Sequence, residues 1–154
     1  MPSREPRAIF EAYLRALNSG DTAALGELVH PDFTQTYPQS GERIRGLENF
    51  RAEIVGHPGG FMGKGTDRVV GSADRWVVTP ANTVLRIEGA GDTFTGVSKV
   101  HYGDGTDWYD VSIGEIRDGR VWRVQTFWGP TFEAPAWRSS LVELIQPAER
   151  NTAR

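Results

Sequence analysis

The residues best suited to chemistry gather around one acid. In "KVHYGDGTDWYDVS", Asp110 falls inside an aromatic, β-branched run that reads as a strand, where an acidic residue is disfavoured. The preceding strand carries Lys99 and His101. If residue numbers paired across this hairpin sum to an odd value, Lys99 faces Asp110 and His101 is its diagonal neighbour. An even sum puts neither on the Asp110 face. The odd register offers two outcomes. One is a surface Lys99–Asp110 pair worth under about 1 kcal/mol. The other is a His101–Asp110 dyad, in which the carboxylate orients the imidazole for general acid/base work near neutral pH. Tyr13 and Tyr37 are either core phenols with backbone partners or donors to a ligand oxygen that gains charge.

Other chemistries lack their residues. Cysteine is absent, which removes thiolate metal sites and cysteine nucleophiles. Of the three histidines, His30 in "VHPD" reads as a cap of the second helix and His57 in "GHPGG" as a loop residue, without metal-ligand spacing. "GGFMGKGT" imitates a phosphate loop, but Gly65 follows Lys64 where Ser or Thr is required, and Pro58 stands at the first glycine. With five glycines between Gly56 and Gly65, residues 56–67 read instead as a flexible lid with Phe61 and Met62 at its apolar tip. No metal and no cofactor is expected.

The elements that must hold these groups follow from periodicity. Phe10, Tyr13, Leu14 and Leu17 make a helix of residues 6–18, closed by Gly20, with Asp21 capping the next segment. Leu25, Leu28 and Val29 mark a short second helix. "DFTQTYP" alternates as a strand with Phe33, Gln35 and Tyr37 on one side. Leu47, Phe50 and Ile54 mark a third helix. From Arg68 the period becomes two, with strands near 68–79, 82–89, 93–102, 107–117 and 120–128, punctuated by "TPAN", "GAGD", "GDG" and "DG". Trp137, Leu141 and Leu144 predict a short helix over 134–146, and 149–154 a frayed tail. This order predicts one α+β domain over residues 1–154, with three helices on the concave face of a curved antiparallel sheet and a cone-shaped cavity between them.

Bulk composition narrows the partners. The 154 residues carry a net charge of −3, with no basic excess to displace phosphate counterions, so no nucleic-acid partner is expected. No apolar run spans a bilayer and no secretory h-region opens the chain, which predicts no membrane contact and a cytoplasmic location. Five tryptophans call for a large core or an apolar ligand.

The opening "YLRALNSGDTAALGELVHPDF" and the element order resemble the nuclear transport factor 2-like, or SnoaL-like, superfamily over roughly residues 6–128. It includes ketosteroid isomerase, scytalone dehydratase, limonene-epoxide hydrolase and polyketide cyclases. The resemblance implies a cystatin-like α+β barrel. Tyr13, ahead of Gly20-Asp21, matches the isomerase's oxyanion-hole tyrosine. The isomerase's base position holds Tyr37, which cannot be a carboxylate base. Its second oxyanion acid falls near Ser112, two residues after Asp110 on one strand face. The last strand reads "VQTFW" where limonene-epoxide hydrolases place an acid. The resemblance also implies that Val124, Thr126 and Trp128, with Trp122, face the cavity.

These readings converge on a cofactor-independent enzyme for acid/base cyclisation, isomerisation or dehydration of a hydrophobic oxygenated small molecule. The rival is a non-catalytic module that uses the cavity for a ligand or the sheet for a partner. A cavity-facing Asp110 or His101 favours the enzyme. A homodimer is expected through the outer sheet face, where Val111, Ile113 and Phe127 alternate.

Overall fold

A computed structural model describes residues 5–58, 68–71, 75–78, 82–88 and 91–145. Helix α1 (Pro6–Ser19) starts with proline at its first position, where the missing N–H costs nothing. It ends on Gly20 at φ 71°, whose N–H reaches Ala16 and Leu17 carbonyls. Asp21 accepts the Ala24 N–H at 3.0 Å and opens the single turn α2 (Leu25–Leu28). Then come β1 (Val29–Tyr37), β2 (Glu42–Arg45) and α3 (Leu47–Gly56). Six more strands follow: β3 (Arg68–Gly71), β4 (Arg75–Val78), β5 (Asn82–Glu88), β6 (Thr93–His101), β7 (Asp107–Arg117) and β8 (Arg120–Pro130). Among the described residues no helix is long and apolar enough to cross a membrane.

The sheet has the order β2-β1-β8-β7-β6-β5-β4-β3. It is α+β and cone-like, as the sequence predicts, but mixed: β1 lies parallel to β8 and every other pair is antiparallel. The helical excursion α3 and the later meander bring the chain back so that its last strand closes beside its first. Strand β2, which the sequence reading does not anticipate, is a short polar edge paired to β1. The β7–β8 turn is the Asp118-Gly119 pair, both at positive φ (51° and 71°), the geometry "DG" favours.

The helices pack on the concave face. Phe10, completely buried, is the pivot. Its ring lies over Gly114 of β7, and Leu14 lies over Gly96 of β6, so that a Cβ at either glycine meets the helix's side chains. Aromatic rings carry the packing outward: Phe94–Phe10 and Phe10–Tyr13 at 6.1 Å, Tyr13–Phe50 at 6.4 Å and Phe33–Phe50 at 5.1 Å. These tie α1, β1, β6 and α3 into one core.

The segment after β8 departs from expectation. In place of a helix over 134–146 there is one 3₁₀ turn, Ala136–Arg138. Trp137, Leu141 and Leu144 are 77%, 76% and 67% exposed. A helix this short needs an apolar surface to pack on, and here its apolar residues face solvent. The proposed lid falls outside the described residues over 59–67, and so do Phe61, Met62 and the tail 149–154.

Gly114→Ala should destabilise the protein by about 1–3 kcal/mol, because a methyl group there meets the body of the Phe10 ring. Gly96→Ala should cost less, since its tightest contact is the flexible end of Leu14 at 3.0 Å and the Phe10 ring lies at an ordinary 3.6 Å. Urea midpoints of the two variants check the order; equal losses would contradict it.

Candidate active site

Register decides what the hairpin can do. The β6–β7 turn holds five residues, Tyr102–Thr106, closed by Tyr102 N–H on the Thr106 carbonyl at 2.9 Å and by Asp104, which accepts both the Thr106 N–H and its hydroxyl. His101 therefore pairs with Asp107, Lys99 with Tyr109 and Ser98 with Asp110. The sum is even. Asp110 points to the concave face with Ser98, Ser112 and, across β8, Trp128 and Thr126. His101 and Lys99 point away. His101 Nδ1 lies 2.7 Å from Asp107 and Lys99 Nζ 3.4 Å from the same carboxylate. That contact, with Lys99 beside it, holds the Asp107 carboxyl below its ordinary range. The His101–Asp110 dyad is thus not formed; the five-residue turn sets the wrong parity for it.

Asp110 is 6% exposed and lines a cavity of about 550 Å³ between the sheet and α1, β1 and α3. Burial pushes its carboxyl up to about 7, against the opposing pull of hydrogen bonds from Ser112 and Ser98. Behind it runs a buried polar chain. The Gln35 amide donates to Thr126 Oγ1 at 2.7 Å, and Thr126 and Ser112 hydroxyls lie 2.9 Å apart. Gln35, Ser98, Ser112 and Thr126 are all buried. The acid therefore sits on a fixed polar floor.

The helix side supplies two buried donors, Tyr13 and Asn18. Among the described residues, Tyr13 Oη and Asn18 Nδ2 are buried and find no hydrogen-bond partner, and both residues line the cavity. Burial raises the Tyr13 phenol far above its ordinary range, with the charges of Glu53 and Asp110 adding to it. It keeps its proton and remains a donor. At the mouth, Tyr37 donates its hydroxyl to Glu53 Oε1 at 2.8 Å. Burial raises the Glu53 carboxyl, while Tyr37 and His57 pull it down and Glu42 pushes it up. Gln39 fastens the β1–β2 turn to β8 by a reciprocal pair with the Trp128 backbone, both bonds at 2.6 Å. Leu14, Leu17, Phe50, Ile54, Trp108 and Trp128 form apolar walls.

Of the residues singled out from sequence, Tyr13, Tyr37, Asp110, Ser112, Thr126 and Trp128 meet at this cavity, with His101 at its rim. Val124 does not line it; it is buried in the core opposite Gly114. Trp122 does not either. A bulge leaves it unpaired, since Glu115 pairs with Arg123 and Ile116 with Val121, and the alternation that would turn it inward is broken. It lies outside, with Arg123 and Arg117 guanidinium carbons 3.7 and 4.8 Å from its ring centre. His30 belongs to β1 rather than capping α2, and its Nδ1 accepts the Asp32 N–H. Missed from sequence are Asn18, Gln35, Glu53, Ser98 and Trp108. Glu53 had a signal: Phe50, Glu53, Ile54 and His57 fall at i, i+3, i+4 and i+7, an acid on an apolar helical stripe. Among the described residues no group of three or more His, Asp or Glu could hold a metal ion.

The fold agrees with comparison to known proteins. The chain belongs to the SnoaL-like domain family, whose model matches residues 10–124. It is similar to a nuclear transport factor 2-like protein of unknown function from Burkholderia xenovorans LB400, with 33% identity, 92% of this chain and 95% of that one covered, and a TM-score of 0.68. It is also similar to a protein from Kribbella flavida DSM 17836 provisionally assigned as a ketosteroid isomerase, with 26% identity, 92% and 90% covered, and a TM-score of 0.70. An M. tuberculosis epoxide hydrolase (17% identity, 80% and 82% covered, TM-score 0.54) shares the fold. No curated protein matches.

Asp110 also makes stability depend on pH. Its folded-state value near 7 lies above the ordinary carboxylate range, so the folded state holds a proton that the unfolded state releases earlier. Its favourable contribution is complete below about pH 4 and is lost as pH rises to about 7. Asp110→Asn, which removes the buried charge, should raise stability at about pH 8 by up to a few kcal/mol and change it little below about pH 4. Thermal unfolding at the two pH values checks this; a variant less stable at the higher pH would contradict it.

Proposed function

We propose that the protein is a cofactor-independent acid/base enzyme that isomerises, cyclises or dehydrates a hydrophobic, oxygenated small molecule. One observation carries this reading: a buried carboxyl, Asp110, faces an apolar-walled cavity and holds its proton near neutral pH. A protonated carboxyl and the Tyr13 phenol together suit an oxygen that gains negative charge. The ligand's carbonyl oxygen would accept a hydrogen bond from Tyr13, and its hydrocarbon body would lie against Trp108, Trp128 and Leu17. The cavity-facing Asp110 favours this reading over a purely apolar binding module. Membership of the SnoaL-like family and the likeness to a provisional ketosteroid isomerase support the same class. Tyr37 and Thr126 complete the polar lining.

β-Naphthol, whose hydroxyl imitates an enol, should bind in this cavity and quench Trp108 and Trp128. Tyr13→Phe and Asp110→Ala should each weaken it by about tenfold, the scale of one lost buried hydrogen bond. Binding that is unaffected by both substitutions would overturn the assignment of Tyr13 and Asp110 to the ligand's oxygen. If Trp108→Phe with Trp128→Phe leaves the quenching intact, the ligand sits elsewhere.

The same reading includes a homodimer. Val111, Ile113 and the 39% exposed Phe127 share the outer sheet face, the face that Asp110 does not use. A second copy would cover them. Sedimentation at micromolar concentration should give about twice 17.1 kDa, and Phe127→Glu should return the monomer. A monomeric native protein would refute the dimer.

A further inference from the structure

We infer that the outer face of the sheet carries a second ligand site, a pocket in which Arg43, Arg45 and Arg123 bind the phosphate group of a small molecule. The pocket holds about 460 Å³ and lies on the side of the sheet away from Asp110. It is independent of the acid/base reading and stands if that reading fails. Strand register builds it. Gln35 turns to the inner cavity, so Thr34 and Thr36 turn outward. Arg45 and Arg123 pair with Thr34 from its two sides, and Arg43 and Gln125 flank Thr36 in the same way. Two strand spacings, about 10 Å, separate Arg45 from Arg123 at the backbone, a gap that two arginine side chains close from opposite ends. Glu115, paired with Arg123, and Ile113 form the wall on β7.

The lining is made of donors. Each guanidinium presents a planar fork of N–H groups that matches two oxygens of a phosphate, and the Thr34 and Thr36 hydroxyls between them donate as well. Among the described residues none of these arginines has a carboxylate at ion-pair distance, whereas Arg7, Arg15, Arg51 and Arg117 each do. Charges on an edge strand discourage pairing with another chain, which accounts for Arg43 and Arg45 on β2. That reason does not reach Arg123, because β8 lies inside the sheet. Trp122 gives Arg123 another role. Turned outward at its bulge, it holds the Arg123 guanidinium carbon 3.7 Å from its ring centre. Stacking occupies the face of the guanidinium and leaves the N–H groups at its edge for an anion. Trp122 is thus a positioning residue. Glu115 is the carboxylate in the lining and repels an anion on the β7 side. The phosphate therefore lies over Thr34 and Thr36, with the rest of the ligand toward Ile113 and Glu115.

Titration of the full-length chain with inorganic phosphate tests this, with ionic strength held constant by sodium chloride. Tryptophan emission and calorimetry follow it. Both signals should saturate. Arg45→Gln and Arg123→Gln should each weaken phosphate by about tenfold, and Glu115→Gln should tighten it. The arginines are exposed, so these changes leave the fold intact. Trp122→Phe should silence the emission change yet keep the calorimetric affinity within about twofold, because a phenyl ring still stacks on Arg123. Trp122→Ala, which alters no charge, should weaken phosphate by about fivefold; a merely electrostatic patch would not respond. Phenyl phosphate separates the two sources of the group. Tighter binding than inorganic phosphate identifies an organic phosphate, equal binding identifies the free ion, and both support the site. A response that does not saturate, or that Arg123→Gln leaves unchanged, is screening and overturns the proposal. Acetate binding as tightly as phosphate would overturn the phosphate class. Asp110→Asn should leave phosphate affinity unchanged; loss there would place the anion in the inner cavity and overturn the outer site.

Discussion

The contact of the Phe10 ring with Gly114 sets how close α1 comes to the sheet. At that end of the helix nothing separates ring from backbone, and Gly96 admits Leu14 in the same way. Toward the other end of the helix the floor changes to Ser98, Ser112 and Thr126, all small and polar, and the walls to Leu17 and Asn18. A rigid helix on a twisted, coiled sheet cannot touch it along its whole length. Where it is pressed tight a core forms, and where the sheet curves away a cavity opens. The Phe94–Phe10–Tyr13–Phe50 series then fixes α3 to the same pivot. Site and core are therefore two ends of one packing arrangement, with Tyr13 belonging to both.

Electrostatically, the cavity keeps one acid deep and another at its mouth. Asp110 gives up most of its hydration. Two serine hydroxyls return part of what water supplied, and the carboxyl keeps its proton to near neutrality. Glu53 is less buried and is held by one phenol and a nearby imidazole. Burial raises both carboxyls, and what offsets it differs: serine hydroxyls at Asp110, a phenol and an imidazole at Glu53. On the outer face Asp107 has the reverse situation, lowered by His101 and Lys99. The two faces of one hairpin thus treat carboxylates in opposite ways.

Much of the fold was legible because its signals are local. Period-two alternation bounds β6, β7 and β8 within a residue or two, and Phe10, Tyr13, Leu14 and Leu17 mark the inner face of α1. What stayed hidden depends on single-residue parity. The five residues of Tyr102–Thr106 separate His101 from Asp110, and one unpaired residue turns Trp122 outward. Neither leaves a hydropathy pattern, since a one-residue shift preserves alternation while exchanging faces. The mixed sheet was hidden for another reason. The β1–β8 pair joins the first strand to the last, and no turn residue marks it. Glu53 was legible as part of an apolar stripe, but its hydrogen bond from Tyr37 at the cavity mouth was not.

The unpartnered donors connect packing to function most directly. Leaving a buried polar group without a partner costs about 1–3 kcal/mol, and among the described residues Tyr13 and Asn18 both do so on the cavity wall. A fold selected for stability alone would place phenylalanine and leucine there, at almost no change in volume. Asp110 incurs a further cost by facing the same space. These three costs share a location and a remedy. Tyr13 and Asn18 donate, Asp110 donates when protonated, and none of the apolar walls accepts. A ligand that brings acceptor oxygens satisfies them without moving the backbone. The destabilisation is thus concentrated on the cavity wall rather than spread through the core.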